Sequence, residues 1–576
     1  MKVSDYIVSL LADRGVNTVF GYIGGMITHL VDSLGQSQQV RYVQTLHEQT
    51  AAIAAEGYAL ESGKFGVAIC TSGPGVTNLI TGIADAYFGS IPVLFISGQV
   101  NTYEYKYDKP VRQQGFQEMD VVSVVSPITK YSVLLDDADK VKYEFEKAIH
   151  IATHGRKGPV MIDLPMDISR AEIDVSGQRG YVPEEETLLD LDMESFRSLV
   201  ESAERPMFLV GGGCQGAGVK AELDALLRQT GIPVVTSLMG RGLIDETFPH
   251  YIGMIGSYGN RSANMAVARA DLLIALGSRL DTRQTGAMYQ SFLRNGTVIH
   301  VDIDENELDG NRLENRVKVH ADVAQFVRAM KEAHFQYRDY TEWNGWIKTI
   351  KQHFGQEAEI ERFVDNKAPY RILQDLNKIT RKDDIVTADI GQNQMWAAQT
   401  LQMKKGMKFV TSGGLAPMGF SLPVAIGMAF ARPDKRVFCL TGDGGLNMAL
   451  QSLGVIAQYG LNIKVIVLNN AALGMITQFQ HLYFQDRMFG TTAEGGYINP
   501  DFAALATAFG LPYIETSGGL PDHWENADKP VLVNCLIEGR TTVSPKLEYN
   551  SPIDKPSPQL DAGEFDRFMG TRCPNS

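Results

Sequence analysis

Two rhythms alternate along the chain. Short apolar runs such as GVAICTSG, PVLFISG, DLLIALGS and IKVIVLNN stop at Gly, Ser or Asn. Each is followed by a longer stretch whose apolar residues recur every three or four positions. The first rhythm predicts buried strands and the second amphipathic helices; their succession predicts parallel sheets covered by helices. Three such blocks follow one another, at 1–175, 188–340 and 365–550, with a tail at 551–576. The strands of the first read NTVFGY, VRYVQT, GVAICTSG, PVLFISG and PVMIDLP. Those of the second read MFLVGGG, IPVVTS, DLLIALGS, VIHVDID and VKVHAD. The third has DIVTADIG, MKFVTSG, RVFCLTGDG, IKVIVLNN and KPVLVNCLIEG. A polar helical segment, EWNGWIKTIKQHFGQEAEIERFV, bridges the last two blocks, and the Pro-containing tail reads as extended. The expected class is α/β, with three consecutive open parallel-sheet domains and no short repeat.

Composition narrows the function. With 576 residues, 44% hydrophobic and 21% charged, the chain is too long for one core and ordinary for a globular protein. A net charge of −14 leaves no basic surplus for a nucleic-acid partner. Cys70, Cys214, Cys439, Cys535 and Cys573 show neither metal-ligand nor disulfide spacing, as expected for a reducing cytoplasm. The opening MKVSDYIVSLLADRG reads as a helix capped by Ser4 and stopped by Gly15, not as a signal peptide. No run is long enough to span a membrane, so a cytoplasmic location is expected.

The most informative stretch is RVFCLTGDGGLNMALQSLGVIAQYGLNIKVIVLNN. A buried strand ends in Gly442-Asp443-Gly444-Gly445, a helix follows, and a second strand ends in Asn469-Asn470. Ligands of open α/β sheets gather beyond the carboxyl ends of the strands, so Asp443 and Asn470 meet at one edge. The glycines admit phosphate oxygens close to backbone amides. Asp and Asn oxygens are hard ligands suited to Mg²⁺, which keeps phosphate and water in its remaining positions. No Walker loop is present.

GDGG followed by NN resembles the thiamine-diphosphate motif. The segments GYIGGM, LHEQTAA, TSGPGVTN, GFQEMD, LGSRLDTRQTG, DIGQNQMWAAQ, GGLAPMGFSLPVAIG and LNNAALGMITQFQ extend the likeness, over about residues 4–545, to the acetohydroxyacid synthase (acetolactate synthase) large-subunit family. That resemblance implies a pyrimidine-binding domain, a central FAD-binding Rossmann-like domain and a diphosphate-binding domain. It implies Mg²⁺ on Asp443, Asn470 and the Ala472 carbonyl, and Glu48 as the carboxyl bonded to N1′ of the thiamine pyrimidine. Met418 takes the place of the wedge that bends the cofactor. Tyr22, Gly25, Asn78, Gly391, Gln392, Asn393, Gly474 and Met475 are placed around the cofactor with Gly442, Gly444 and Gly445; Asn393 replaces a His common in the family.

By the same resemblance Gly211, Gly213, Leu238, Gly277, Arg279, Asp281, Arg283, Asp302, Asp304 and Asp322 line FAD, and Gln117 positions substrate. Met166 stands where the biosynthetic enzymes carry Lys, Phe479 where they carry Trp, and Met26 where a small residue is common. Losing an ammonium removes a carboxylate's partner, and Phe opens space that Trp fills. The implied reaction decarboxylates pyruvate and joins its acetyl unit to a 2-keto acid or another ketone, a 4-keto sugar among them. The rivals are biosynthetic acetolactate synthase, a flavin-linked pyruvate oxidase and a non-catalytic scaffold. Since Glu48 and Asp443 lie in different domains, which in the family come from two subunits, a homodimer or homotetramer is implied.

Overall fold

A computed structural model describes residues 1–184, 191–526 and 528–570. It contains three six-stranded sheets in which every pairing is parallel. The first holds β1 (Thr18–Gly21), β2 (Arg41–Gln44), β3 (Gly66–Cys70), β4 (Val93–Gln99), β5 (Tyr131–Leu134) and β6 (Val160–Pro165), in the order β2-β1-β3-β4-β6-β5. The second holds β7 (Pro206–Val210), β8 (Val234–Thr236), β9 (Tyr251–Met254), β10 (Leu272–Leu276), β11 (Thr297–Asp302) and β12 (Arg316–His320), in the order β12-β11-β10-β7-β8-β9. The third holds β13 (Ile385–Ala388), β14 (Lys408–Val410), β15 (Val437–Gly442), β16 (Ile463–Asn469), β17 (Tyr513–Ser517) and β18 (Val531–Leu536), in the order β14-β13-β15-β16-β18-β17. Sheets one and three thus share a topology, and sheet two has the mirror-ordered halves of a dinucleotide-binding fold.

Each sheet has one strand beyond those expected: β5, β9 and β17. All three are edge strands. β5 and β17 are half-exposed along their length, so no continuous apolar run announces them, and β9 is short and carries Gly253 at φ +132°.

The first and third domains share one continuous apolar core. It is centred where the helix Glu48–Ser62 crosses the helix Ser421–Ala431. Two glycines set that distance. A Cβ on Gly57 would lie 2.1 Å from the Val424 carbonyl oxygen, and one on Gly427 would lie 1.8 Å from the Ala54 carbonyl oxygen. The middle domain has its own core. The bridging segment divides between cores: Trp343, Trp346 and Ile350 of the helix Thr341–Phe354 enter the middle one, and Ile360 of the next helix enters the third.

Two local readings are corrected. Ser4 does not cap the first helix; it is buried inside Val3–Asp13, where Ser33 Oγ bonds its hydroxyl at 2.9 Å. The tail is not simply extended, because it folds back onto the middle domain and contains a helix, Ala562–Met569. Ile553 and Phe568 are buried in the middle core, and the Phe568 carbonyl accepts from Trp346 Nε1 at 3.1 Å. Arg261, buried with Glu359 at 2.8 Å, also donates to the carbonyls of Pro556 and Pro558. A buried, fully bonded ion pair of this kind is costly to break from one side only. Residues 571–576, Cys573 among them, lie outside the described residues; the other four cysteines are buried and free. No described helix is long and apolar enough to cross a membrane.

Gly427→Ala gains about 1 kcal/mol of helix propensity but drives a methyl into backbone that cannot move aside, an overpacking cost of about 1–3 kcal/mol or more. Its apparent Tm at fixed scan rate should fall by several degrees. Gly35→Ala, in a helix with open space beyond its Cα, should leave Tm unchanged or slightly raised.

Candidate active site

Strands β13, β15 and β16 deliver three loops to one edge of the third sheet. β13 ends before Asp389, a fully buried carboxylate that organises its surroundings. Its oxygens accept from the amides of Ile390, Gly419 and Ser421 and from the Ser421 hydroxyl, at 2.8–3.0 Å. The segment 411–420, which carries Met418, is thereby tied to the end of β13. Gly391 follows at φ +132°, a conformation that favours glycine, and leads into the helix Gln392–Thr400. Asn393 Nδ2 turns back to the Asp389 carbonyl at 2.7 Å.

β15 ends at Gly442, and Asp443 begins the short helix that follows. Burial pushes the Asp443 carboxyl up to about 6, while a hydrogen bond from Tyr497 Oη to Oδ2 at 2.8 Å pulls it back down. The glycines here are spatial necessities. A Cβ on Gly444 would meet Leu473 at 2.7 Å and Met418 Cε at 3.1 Å, and one on Gly445 would meet the Asp389 carboxylate at 2.8 Å. A Cβ on Gly474 would strike Gln392 Oε1 at 2.1 Å.

Beyond β16, Asn470 turns its side-chain oxygen toward two other oxygens: the Ala472 carbonyl at 2.8 Å and Asp443 Oδ1 at 3.3 Å. The amide has a reason to sit this way round. Its nitrogen donates to Thr541 Oγ1 at 2.9 Å, and the Thr541 hydroxyl donates to Gln392 Oε1 at 2.6 Å. The Gln392 nitrogen is spent on Gln478 Oε1 and the Thr541 carbonyl. Turning Asn470 over would use the single Thr541 proton and leave Gln392 Oε1 against a bare oxygen. Three oxygens facing one another with no proton between them suit a cation. Among the described residues no group of three His, Cys, Asp or Glu forms a metal cluster.

From this edge a cavity of about 920 Å³ runs into the middle domain, at the upper end of the range for small organic ligands. Met418, Gly391, Gln392, Asn393, Gly442, Asp443, Gly444, Gly445, Asn470, Ala472, Gly474 and Met475 line one end; Gly213, Leu238, Gly277, Arg279, Asp281, Arg283, Asp302 and Asp322 line the other. Gly211 does not reach it: a Cβ there would strike the Gly277 carbonyl at 2.2 Å, so its role is to let β7 and β10 approach at the switch point. Asp304 does not line it either. It caps a short helix and pairs at 2.7 Å with Arg156, a first-domain residue on the cavity wall.

The first-domain set lies elsewhere, beyond the carboxyl ends of its own sheet. Glu48 is buried at the first turn of its helix, where Asn78 Nδ2 donates to its Oε2 at 3.0 Å. Tyr22 and Gly25 are exposed on the loop after β1, and Met26 is half-buried with its carbonyl packed on Gly98. Gln117 adopts φ +62°, and its loop is gathered by buried Glu118, which accepts from the amides of Lys106, Gln114 and Gly115. Met166 opens a short helix after β6. None of these seven lines the cavity. Phe479 is also outside it, 46% exposed beside Tyr483 and Phe484 on the helix Gly474–Tyr483 and its end.

Residues 1–124, 193–330 and 389–535 match the N-terminal TPP binding domain, the central domain and the C-terminal TPP binding domain of thiamine pyrophosphate enzymes. The chain is 38% identical over 552 residues to the acetolactate synthase isozyme 2 large subunit of Escherichia coli K12, covering 95% of this chain and 97% of that one. It belongs to the acetolactate synthase large-subunit family of thiamine pyrophosphate enzymes. It is also 33% identical to the acetolactate synthase large subunit of Lactococcus lactis, with 94% of each chain covered. The large subunit of Corynebacterium glutamicum is 36% identical, with 95% of this chain and 88% of that one covered.

In this thiamine pyrophosphate enzyme, Tyr497, Thr541, Asp389 and Glu118 are the site residues that sequence reasoning passed over. Asp389 carried a signal, an Asp at the end of an apolar strand before a Gly. Tyr497 and Thr541 carried none, since they come from irregular segments far along the chain. Tyr497→Phe should leave the fold intact and weaken divalent-cation-dependent thiamine diphosphate binding by about 10–100-fold, the usual effect of losing a hydrogen bond to a ligand carboxylate. Calorimetric titration with and without Mg²⁺ measures it.

Proposed function

We propose that this protein is a thiamine-diphosphate-dependent carboligase that decarboxylates pyruvate and passes the acetyl unit to an acceptor carbonyl. The observation that carries the reading is the convergence of Asp443 Oδ1, Asn470 Oδ1 and the Ala472 carbonyl at the mouth of a cavity whose glycines leave backbone open. These three atoms suit Mg²⁺ bound with a diphosphate. The middle-domain end, with its dinucleotide-fold strand order and glycine-lined switch point, suits FAD.

When bound, thiamine diphosphate supplies a carbon nucleophile and an electron sink for decarboxylation. The chain's residues do the rest. Glu48, held by Asn78, is placed to carry a proton at the pyrimidine ring. Met418, whose neighbour Gly419 is bound by Asp389 and whose Cε lies beside Gly444, supports the cofactor's bend. Gln117 and Phe479 belong to the substrate side, and burial between domains keeps water out.

Glu48 and Asp443 serve separate edges of one chain, so the complete site needs a second copy, with Glu48 of one chain opposite Asp443 of the other. The exposed Tyr22, Leu46 and Phe116 on one side, and Met448, Ile476 and Phe479 on the other, suit such a contact. A homodimer or homotetramer follows. The acceptor is proposed as a ketone without a carboxylate partner, because Met166 offers no cation.

Glu48→Gln should lower kcat by about 10²–10⁴-fold while thiamine diphosphate still binds; full turnover would remove Glu48 from the mechanism. Labelled pyruvate offered alone and with a panel of ketones, 4-keto sugar nucleotides included, should give cross-products only with a ketone, read by mass spectrometry. Rapid acetolactate formation that added ketones do not change would assign the biosynthetic reaction instead, and oxygen uptake would assign an oxidase.

A further inference from the structure

Between the first and third domains lies a buried acid pair with no part in the chemistry above. Glu56, on the helix Glu48–Ser62, is 0% exposed, and neither of its carboxyl oxygens has a hydrogen-bond donor. It faces Asp85 on the helix Pro74–Gly89, which is 2% exposed. Two ionised carboxylates side by side out of water repel each other and forfeit hydration, so such a pair holds a proton. The resulting O–H···O⁻ bond is among the stronger hydrogen bonds a protein makes. Burial pushes the Glu56 carboxyl well above the usual range and raises Asp85 to about 6, with hydrogen bonds from Ser412 and Glu56 pulling Asp85 back. Asp85 already accepts from the Ser412 hydroxyl while Glu56 has no donor, so Asp85 takes the acceptor's part and Glu56 the donor's.

Asp85 is also joined across the domain boundary. Ser412 Oγ donates to Asp85 Oδ1 at 2.6 Å, and the Ala416 amide donates to Ser412 Oγ at 3.0 Å. Ala416 is held at φ +58°, a conformation that a non-glycine residue adopts only at a cost. Two residues on comes Met418, and then Gly419, whose amide is bound by Asp389. The Met418 loop is thus pinned at both ends by buried carboxyl groups, one from each domain. Among the described residues no cation pairs with Glu56 or Asp85. Glu61, further along the Glu56 helix, takes Lys408 at 2.8 Å and faces Arg432 at 3.8 Å. Glu48, at its start, faces Asn78. From the third domain the Ser412 hydroxyl and Ala416 amide reach the pair, and neither titrates.

We propose that Glu56 and Asp85 share one proton and, through Ser412, act as a positioning pair that fixes the Met418 loop at the diphosphate end of the site. The role rests on the reading of Met418 as the cofactor's support; the shared proton does not, and the two are measured separately. Because the Glu56 carboxyl is raised in the folded state, its contribution to stability is full below the ordinary carboxylate range and is lost as pH rises toward the folded-state value.

Unfolding of the full chain by denaturant, without turnover, should therefore weaken more steeply between about pH 5 and 8 in wild type than in Glu56→Gln, by up to about tenfold in the unfolding equilibrium per pH unit. The Gln amide still donates to Asp85, so kcat of the holoenzyme should stay within about threefold of wild type. Ser412→Ala, which leaves both carboxyls in place and keeps the test open if the Gln variant does not fold, should lower kcat about tenfold with KM for pyruvate within about threefold. Equal pH slopes in wild type and Glu56→Gln overturn the shared proton, and unchanged kcat in Ser412→Ala overturns the positioning role.

Discussion

Everything around the cofactor edge depends on how closely two helices cross. Gly57 and Gly427 let the helices Glu48–Ser62 and Ser421–Ala431 approach until backbone touches backbone. The first of these helices opens with Glu48, and the second follows directly on the Met418 loop. The crossing thus sets the distance between the domain that holds Glu48 and the domain that holds Asp443 and Asn470. Glu56, next to Gly57 at this crossing, is fully buried. Hydrophobic area contributes most of the gross stabilisation here, but two missing methyl groups decide the geometry.

Much of this was legible in the chain because parallel sheets announce themselves. Fifteen of the eighteen strands lie on the expected segments, most of them apolar runs ending in turn residues, and their carboxyl ends point to the candidate site. The edge strands β5, β9 and β17 escaped because partial exposure or a glycine erases the run. Asp443, Asn470 and the Ala472 carbonyl could be placed together from the motif. The hydrogen-bond chain through Thr541 and Gln392 that aims Asn470 could not, because it joins residues brought together only by tertiary folding. Gly211 and Asp304 sit in the expected loops, where the structure adds strand packing for one and an ion pair with Arg156 for the other.

The likeness of the first and third sheets was invisible in the residues, where no repeat is evident. Their strand orders coincide position by position, and both put functional residues beyond the strands' carboxyl ends. Two copies of one scaffold carry different side chains there, Glu48 on one and Asp443 with Asn470 on the other. The middle sheet, with a different order, forms a cavity wall continuous with the third domain's edge.

The returning tail has a consequence for how the molecule is made. Phe568 and Ile553 complete the core of the middle domain, although they are synthesised after the whole of the third domain. Nascent domains generally fold in order as they leave the ribosome. Here the middle one must wait with an unfinished face until the last helix arrives, so its closure is a late, long-range event.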